Sequence, residues 1–489
     1  MSQSRASQTA GEQQRHPGIR AASLTAVLIL TGCAVGPNYQ RPKVTTPPAF
    51  RGAEGAAQQA SFADVPWWDV FKDETLTSLI KTALANNYDL GIAATRVEQA
   101  RQASAEARSQ YFPAIDYQGR VGGGRNQLFT TPQANPPGVQ GLAVAIASAS
   151  WEVDVWGRIR RLNEAAKARY LSTEEARRGV MLTLVADVST AYFRLLGLQR
   201  QLEIAVQSED SFNQTRLLFT QRMEGGISSQ LPVSRITAIQ ATSSAQVIEY
   251  QRQIALQEDQ LSVLLGQNPG PIALKAKLLE TTLPPEVPAG LPSSLLERRP
   301  DVLAAEQTVR AANAQIGVAT ADFFPKIGLT TFFGKLSIPL ENFTSSVSTL
   351  SSFGATMTGP IFEGGRLKAQ KRQAVAEWEQ AKLQYQQTAL NAFRDSADAL
   401  ISREKYDEIR VSQMKAVDSY EEAFKLANTR FDQGFSSYYE VLDTQQQLFP
   451  ALSALAATEL ERRLVIIQLY RALGGGWKLT DQQFLSGTP

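Results

Sequence analysis

The chain has 489 residues, 43 % apolar and 20 % charged, with 49 basic and 47 acidic side chains. Its one histidine, His16, and its one cysteine, Cys33, lie in the first 33 positions, so a chain processed before Cys33 keeps no histidine and no internal thiol. That removes Ser-His-Asp and Cys-His nucleophiles, His-ligated zinc and disulfides; the net charge of zero left after residues 1–32 lacks a nucleic-acid binder's basic excess.

Residues 1–32 begin polar and Arg-bearing and then carry the apolar run Ala26-Val27-Leu28-Ile29-Leu30. The run is far shorter than the ~20 residues a spanning helix needs, which reads as a secretory signal. Leu30-Thr31-Gly32-Cys33 resembles a bacterial lipobox, and that resemblance implies lipidation of Cys33 before cleavage. Several acyl chains, at ~0.8 kcal/mol per buried CH₂, anchor a chain stably where one does not. Ala34, in a place where lipoproteins retained at the inner membrane usually carry Asp, implies by the same resemblance sorting to the outer membrane. Residues 33–66, with Pro37, Pro42, Pro47 and Pro48, form an extended tether.

A second proline cluster, in residues 269–298, divides two similar segments, 67–268 and 299–477, before a tail at 478–489. Phe112-Pro113 pairs with Phe324-Pro325 at an offset of 212. Gly157-Arg158 pairs with Gly365-Arg366, Arg222 and Gly226-Ile227-Ser228 with Arg430 and Gly434-Phe435-Ser436, and Leu265-Gly266 with Leu473-Gly474, all at 208. So steady an offset means a duplicated unit. Each half reads as a helix, two short strands, a very long helix (158–224; 366–433) and a second long helix (230–265; 436–473). The very long helices, rich in Ala, Gln, Glu, Arg and Leu, would each be ~100 Å long. Their apolar positions step by three and four, as in Leu182, Val185, Ala186, Val188, Tyr192, Phe193 and Leu196, which favours coiled-coil packing. The turns at Gly225-Gly226 and Gly434 end them, and Pro450 predicts a kink in the last helix.

Segments with a period of two lie near 114–125, 142–156, 326–334 and 353–362. Ile115, Tyr117 and Val121, for instance, alternate with Asp116, Gln118 and Arg120. In the second segment Leu142, Val144 and Ile146 have one parity and Trp151, Val153 and Val155 the other, which a bulge near Ser148 reconciles. Such lengths suit tilted strands crossing a bilayer; a soluble sandwich is the alternative. Four strands cannot close a barrel, and lipid does not tolerate an open sheet edge, so chains must share one.

Pro66-Trp67-Trp68 with Phe71, Asp73, Leu76, Leu79-Ile80 and Asn86-Asn87 resembles the N-terminal signature of the TolC-like outer-membrane efflux family. Arg299-Pro300-Asp301-Val302, Ala311-Ala312-Asn313, Ile316-Gly317-Val318-Ala319 and Phe323-Phe324-Pro325 resemble its second stretch, and Tyr470-Arg471-Ala472-Leu473-Gly474-Gly475-Gly476-Trp477 a third. The match, to the lipoprotein branch that serves resistance-nodulation-division pumps, runs over essentially the whole mature chain. It implies a homotrimer whose outer-membrane β-barrel, four strands per chain, continues into a long periplasmic α-helical coiled-coil barrel. It also implies a periplasmic adaptor (membrane fusion protein) and an inner-membrane pump as partners, and no reaction or cofactor of the chain's own.

Three- and four-residue spacing puts Tyr439 and Glu440 on the same helix face as Asp443, beside the turn at Gly434. By resemblance, Glu440 and Asp443 match the family's acidic constriction and Tyr439 its hydrophobic one; the alternative is that both acids only favour a helix N-terminus. Pro232 and Arg235 fill the equivalent stretch of the first half, where relatives carry an acid. Trp67, Trp68 and Trp477 read as packing or interface anchors, and Arg158, Arg160 and Arg161 as a solvent-facing helix N-terminus rather than a nucleic-acid site. Gly122-Gly123-Gly124-Arg125 lacks the Lys-Ser/Thr of a phosphate loop and reads as a strand-end turn. The expected function is a passive exit duct of a tripartite efflux system for drugs or small toxic compounds. A heavy-metal duct and a poreless, lipid-anchored coiled-coil scaffold are the alternatives.

Overall fold

Helices of matched length mark out the duplication. The computed structural model describes residues 34–52, 61–124, 140–284, 288–337 and 342–487; Cys33, the signal segment and Arg125 lie outside the described residues. In the first half, α1 (Trp67–Phe71), α2 (Glu74–Asn86) and α3 (Tyr88–Ser109) precede β1 (Ala114–Gly124), β2 (Gln140–Val153), α4 (Arg158–Glu224) and α5 (Gln230–Leu264). The second half runs α6 (Pro292–Arg298), α7 (Pro300–Ala321), β3 (Lys326–Ser337), β4 (Thr349–Thr358), α8 (Arg366–Asp432) and α9 (Tyr438–Ala472), and α10 (Asp481–Ser486) follows. Both α3 and α7 have 22 residues, α4 and α8 have 67, and α5 and α9 have 35, an equality that duplication leaves behind. The four long helices keep the bounds read from sequence to within two residues.

The compact units do not follow the repeats. One comprises Met1–Gln40, Gln102–Ala168 and Arg310–Glu379; the other comprises Arg41–Arg101, Arg169–Val309 and Gln380–Pro489. Each therefore draws on both halves of the chain.

The first unit holds one antiparallel sheet in the order β1-β2-β3-β4, so the hairpins of the two repeats join through β2 and β3. Residues directly opposite share a face. Ile115, Ala149, Thr331 and Phe353 line up across all four strands, as do Tyr117, Ala147, Phe333 and Ser351. This odd-numbered face also carries Trp151, Leu329 and Met357, and many of its apolar members are open, Ile115 being 77 % exposed, Tyr117 92 % and Phe353 77 %, while Trp151 and Leu329 are half-buried. The even face carries Asp116, Gln118, Arg120, Ser148, Glu152 and Thr330.

Several expectations are corrected here. No bulge interrupts β2: its one-to-one register with β1 and with β3 runs straight through Ser148. The parity change arises because apolar residues switch sides, Leu142, Val144 and Ile146 lying on the even face and Trp151 and Val153 on the odd. Strand β4 spans Thr349–Thr358 rather than 353–362, because Pro360 has no N–H to extend the ladder. The strand β2 stops at Val153, and Asp154 caps α4 instead, accepting from the backbone N–H of Ile159 (3.0 Å) and Arg160 (2.9 Å). Gly122 and Gly123 are ladder residues of β1, opposite Leu142 and Gly141, not a turn.

The three arginines that open α4 do not face solvent. Arg158 makes a bidentate pair with Glu152 (2.8 Å for both bonds), and Arg160 pairs with Asp154 (3.2 Å). Arg161 is buried and donates to the carbonyls of Val35 (3.2 Å) and Gly36 (3.3 Å) and to Asn38 Oδ1 (2.9 Å), which ties the tether to the helix. Trp156 stacks on Phe324 at 4.7 Å and donates to the Pro325 carbonyl (2.8 Å), so Phe324-Pro325 is a packing motif.

In the second unit the apolar stripe of α4 is the core. Leu182, Val185, Val188, Tyr192, Phe193 and Leu196 are buried, each large side chain contributing about 1.5–3 kcal/mol. An 18-residue stretch of α4 is apolar enough to cross a bilayer, but 67 % of it is buried against protein, as a core helix is. Tyr192 donates to Asp73 Oδ2 (2.7 Å), while Asp73 Oδ1 caps α2 at Leu76 N (2.9 Å). Trp67 donates to the Phe484 carbonyl (3.1 Å) and meets Trp68 edge-on. The indole of Trp477 donates to Asp64 (2.7 Å) beneath the Arg298 guanidinium. Arg299 holds both carboxylate oxygens of Asp301 and also Asp395 (3.2 Å). A Cβ on Gly475 would stand 2.3 Å from the Tyr470 ring, so only glycine fits there.

Candidate functional site

Helices α4 and α8 end in the same turn, 208 residues apart. Gly226 (φ +75°) and Gly434 (φ +77°) take the left-handed conformation that costs glycine least. The next N–H then reaches back over the last helical turn, Ile227 to the Arg222 carbonyl and Phe435 to the Arg430 carbonyl, both at 2.8 Å. Gly225 has no positive φ; its N–H closes an ordinary helical bond to Gln221 (2.9 Å). Ser229 and Ser437 are the extended N-cap residues of α5 and α9.

The first turns of α9 bury Val441, Leu442, Gln445 and Leu448. Tyr439 (57 % exposed), Glu440 and Asp443 occupy the opposite, open face, so the structure brings the three together. Glu440 lies 3.4 Å from Arg430 of α8, and Asp443 accepts from Gln447 (3.0 Å). The Arg235 guanidinium sits 5.1 Å from the centre of the Tyr439 ring. Arg235 is the repeat counterpart of Asp443, so the first-half turn does reach across to α9, by a cation–π contact rather than an ion pair. At such exposed positions each contact contributes on the order of 0–1 kcal/mol.

One residue of the tip escaped the sequence analysis. Tyr438 is half-buried, with Phe219 of α4 and Phe431 of α8 edge-on to its ring, both at 4.9 Å. Its hydroxyl shares a 2.6 Å hydrogen bond with Thr215, and burial pushes the phenol above its usual pKa. Arg222 lies over the Phe431 ring. The signal was present: Tyr438 extends the stripe 441, 442, 445, 448 back by one turn. What the arrangement can do is mechanical and electrostatic. Three helices meet at one aromatic cluster, and the face beyond it presents two carboxylates and a ring.

A family profile described as outer membrane efflux protein matches residues 79–267 and 291–475. The solvent efflux pump outer membrane protein SrpC of Pseudomonas putida is 36 % identical over 466 residues, 93 % of this chain and 98 % of that protein. The cation efflux system protein CusC of Escherichia coli is 31 % identical over 459 residues, 92 % of this chain and 97 % of that one. Among solved structures, the outer-membrane channel OprN superposes with a TM-score of 0.84 at 29 % identity, covering 91 % of this chain and all of that one.

Proposed function

The chain belongs to the outer membrane efflux protein family, and from that premise we propose that three copies close one barrel and form the passive exit duct of a tripartite efflux system. The observation that carries the reading is the open sheet. Among the described residues the outer edges of β1 and β4 have no strand partner, while the odd face between them exposes Ile115, Tyr117, Val121, Phe333, Phe353 and Met357. In lipid each unpaired backbone group costs several kcal/mol, so the edges must be met by other copies. Three sheets make a barrel wide enough for an aqueous lumen; two give one filled by side chains. The duct supplies no energy. An inner-membrane resistance-nodulation-division pump supplies it, a periplasmic adaptor joins pump and duct, and lipidated Cys33 adds an anchor.

Tyr439, Glu440 and Asp443 form the resting gate at the helix tips, three rings around the trimer axis. Their shared exposed face supports this, and so does the aromatic cluster at Tyr438 that can hold α9 against α4 and α8. The cargo is small organic compounds rather than metal ions: the solvent-pump relative is the more similar of the two named, and the mature chain has no histidine. Purified protein added to a planar bilayer should insert as discrete conducting units of low, gated conductance. Protein that lies in the membrane fraction yet never conducts, even with the Tyr438 cluster removed, would overturn the duct in favour of the scaffold.

A further inference from the structure

One cavity is lined by none of Tyr439, Glu440 and Asp443 and by no strand of the sheet. It lies between α4, α5 and α9 around Pro450 and has a volume of about 550 Å³, within the range of small-molecule sites. Phe212, Tyr250, Phe449, Ile204, Ile239 and Pro450 supply its apolar walls, and no described lining residue is charged. The cavity of equal volume beside Arg299 is lined by four aspartates and two arginines. The absence of charge is thus a property of this site, not of the chain.

Most polar groups of the wall satisfy one another. Gln201 Oε1 accepts from the Tyr250 hydroxyl (3.3 Å) and from Ser453, and its amide nitrogen donates to the Ser453 carbonyl (2.8 Å). Two acceptors are not satisfied in this way. Gln445 is 1 % exposed, its amide nitrogen donates to Ser211, and its Oε1 has no partner. Pro450 has no N–H, so the carbonyl of Gln446, also in the wall, loses its helical donor. A buried acceptor without a donor, as at Gln445 Oε1, is unfavourable, and a ligand that brings a donor relieves it.

We propose that this cavity is a binding site for a small neutral aromatic molecule carrying one O–H or N–H donor. The rings of Phe212, Tyr250 and Phe449 take its aromatic body, the uncharged wall rejects ions, which would be desolvated without a counter-charge, and the donor meets the acceptors freed at Gln445 and Gln446.

The test uses the assembled full chain in lipid nanodiscs, with radiolabelled 2-naphthol and 2-methoxynaphthalene as probes in equilibrium dialysis against protein-free nanodiscs. Wild-type protein should take up 2-naphthol saturably, one per chain, and bind the methyl ether about fivefold more weakly for want of the donor. In the Gln445→Leu, Pro450→Ala double variant, whose wall keeps neither freed acceptor, the two probes should bind alike. Ser243→Phe, which fills the cavity, should abolish saturable uptake of both. Uptake equal to that of protein-free discs, or saturable uptake unchanged by Ser243→Phe, would show a cavity holding water only and overturn the proposal. So would a preference for the alcohol that survives the double variant, which keeps the test decisive even if Ser243→Phe fails to assemble.

Discussion

If Tyr438 bolts the last helix to its neighbours in the resting duct, two substitutions at that position should separate cleanly. Tyr438→Phe keeps both edge-on ring contacts at 4.9 Å and removes only the 2.6 Å bond to Thr215. The Thr215 hydroxyl still donates to the Ser211 carbonyl (3.0 Å), so no buried group is orphaned and the loss is about 0.5–1 kcal/mol. That shifts the opening equilibrium about two- to fivefold. Tyr438→Ala removes the ring as well, about 3 kcal/mol, which is more than about a hundredfold in the same equilibrium if opening breaks the contact completely. Single-channel open probability in planar bilayers reads both, with a native gel to confirm that the variants assemble. Assembled variants that open no more often than wild type, or equal effects of Phe and Ala, would refute the role of the cluster.

Charge at the tip should be unequal between the two acids: Arg430 already faces Glu440, so Asp443→Asn should reduce cation selectivity in reversal-potential measurements more than Glu440→Gln, and Arg430→Gln should raise it. Cys33→Ser should abolish incorporation of labelled palmitate while barrel insertion retains part of the protein in the membrane. Glu459 is desolvated, yet its hydrogen bonds from Arg410 and Arg463 and the charge of Arg462 outweigh burial and hold its carboxyl below the usual range. Its stabilising effect is therefore full above about pH 4.5 and is lost as pH falls through the depressed folded value; Glu459→Gln should lower Tm at pH 7 and flatten its fall on the acid side. Gly475→Ala should cost about 1–3 kcal/mol or more by driving a methyl group into the Tyr470 ring, read as lower yield of assembled protein.

What was legible in the sequence was what local periodicity and a fixed offset dictate. The 208-residue repeat located α4, α5, α8 and α9, since long proline-free runs closed by glycine leave a helix no other place to end. The shared exposed face of Tyr439, Glu440 and Asp443 followed from spacing alone. Long-range pairing was not legible. The parity change in β2 invited a bulge because one strand read by itself cannot show that both faces carry apolar residues at different heights. The burial of Arg161 is not legible locally because its acceptors lie in the tether, more than 120 residues away in sequence. The stripe of α9 marks Tyr438 as inward-facing, but its aromatic partners Phe219 and Phe431 come from two other helices and leave no signature within α9.

The claim on which the rest depends is that three chains share one barrel, and crosslinking between sheet edges tests it most directly. A Gln118→Cys, Ser352→Cys double variant in a Cys33→Ser background places one thiol on β1 and one on β4, the two outer strands, and no other. A short bis-maleimide applied to intact membranes should give covalent dimers and then a covalent trimer, with nothing larger, because a closed ring leaves no free edge. Bands only at the monomer, or a ladder continuing past three chains, would contradict the account.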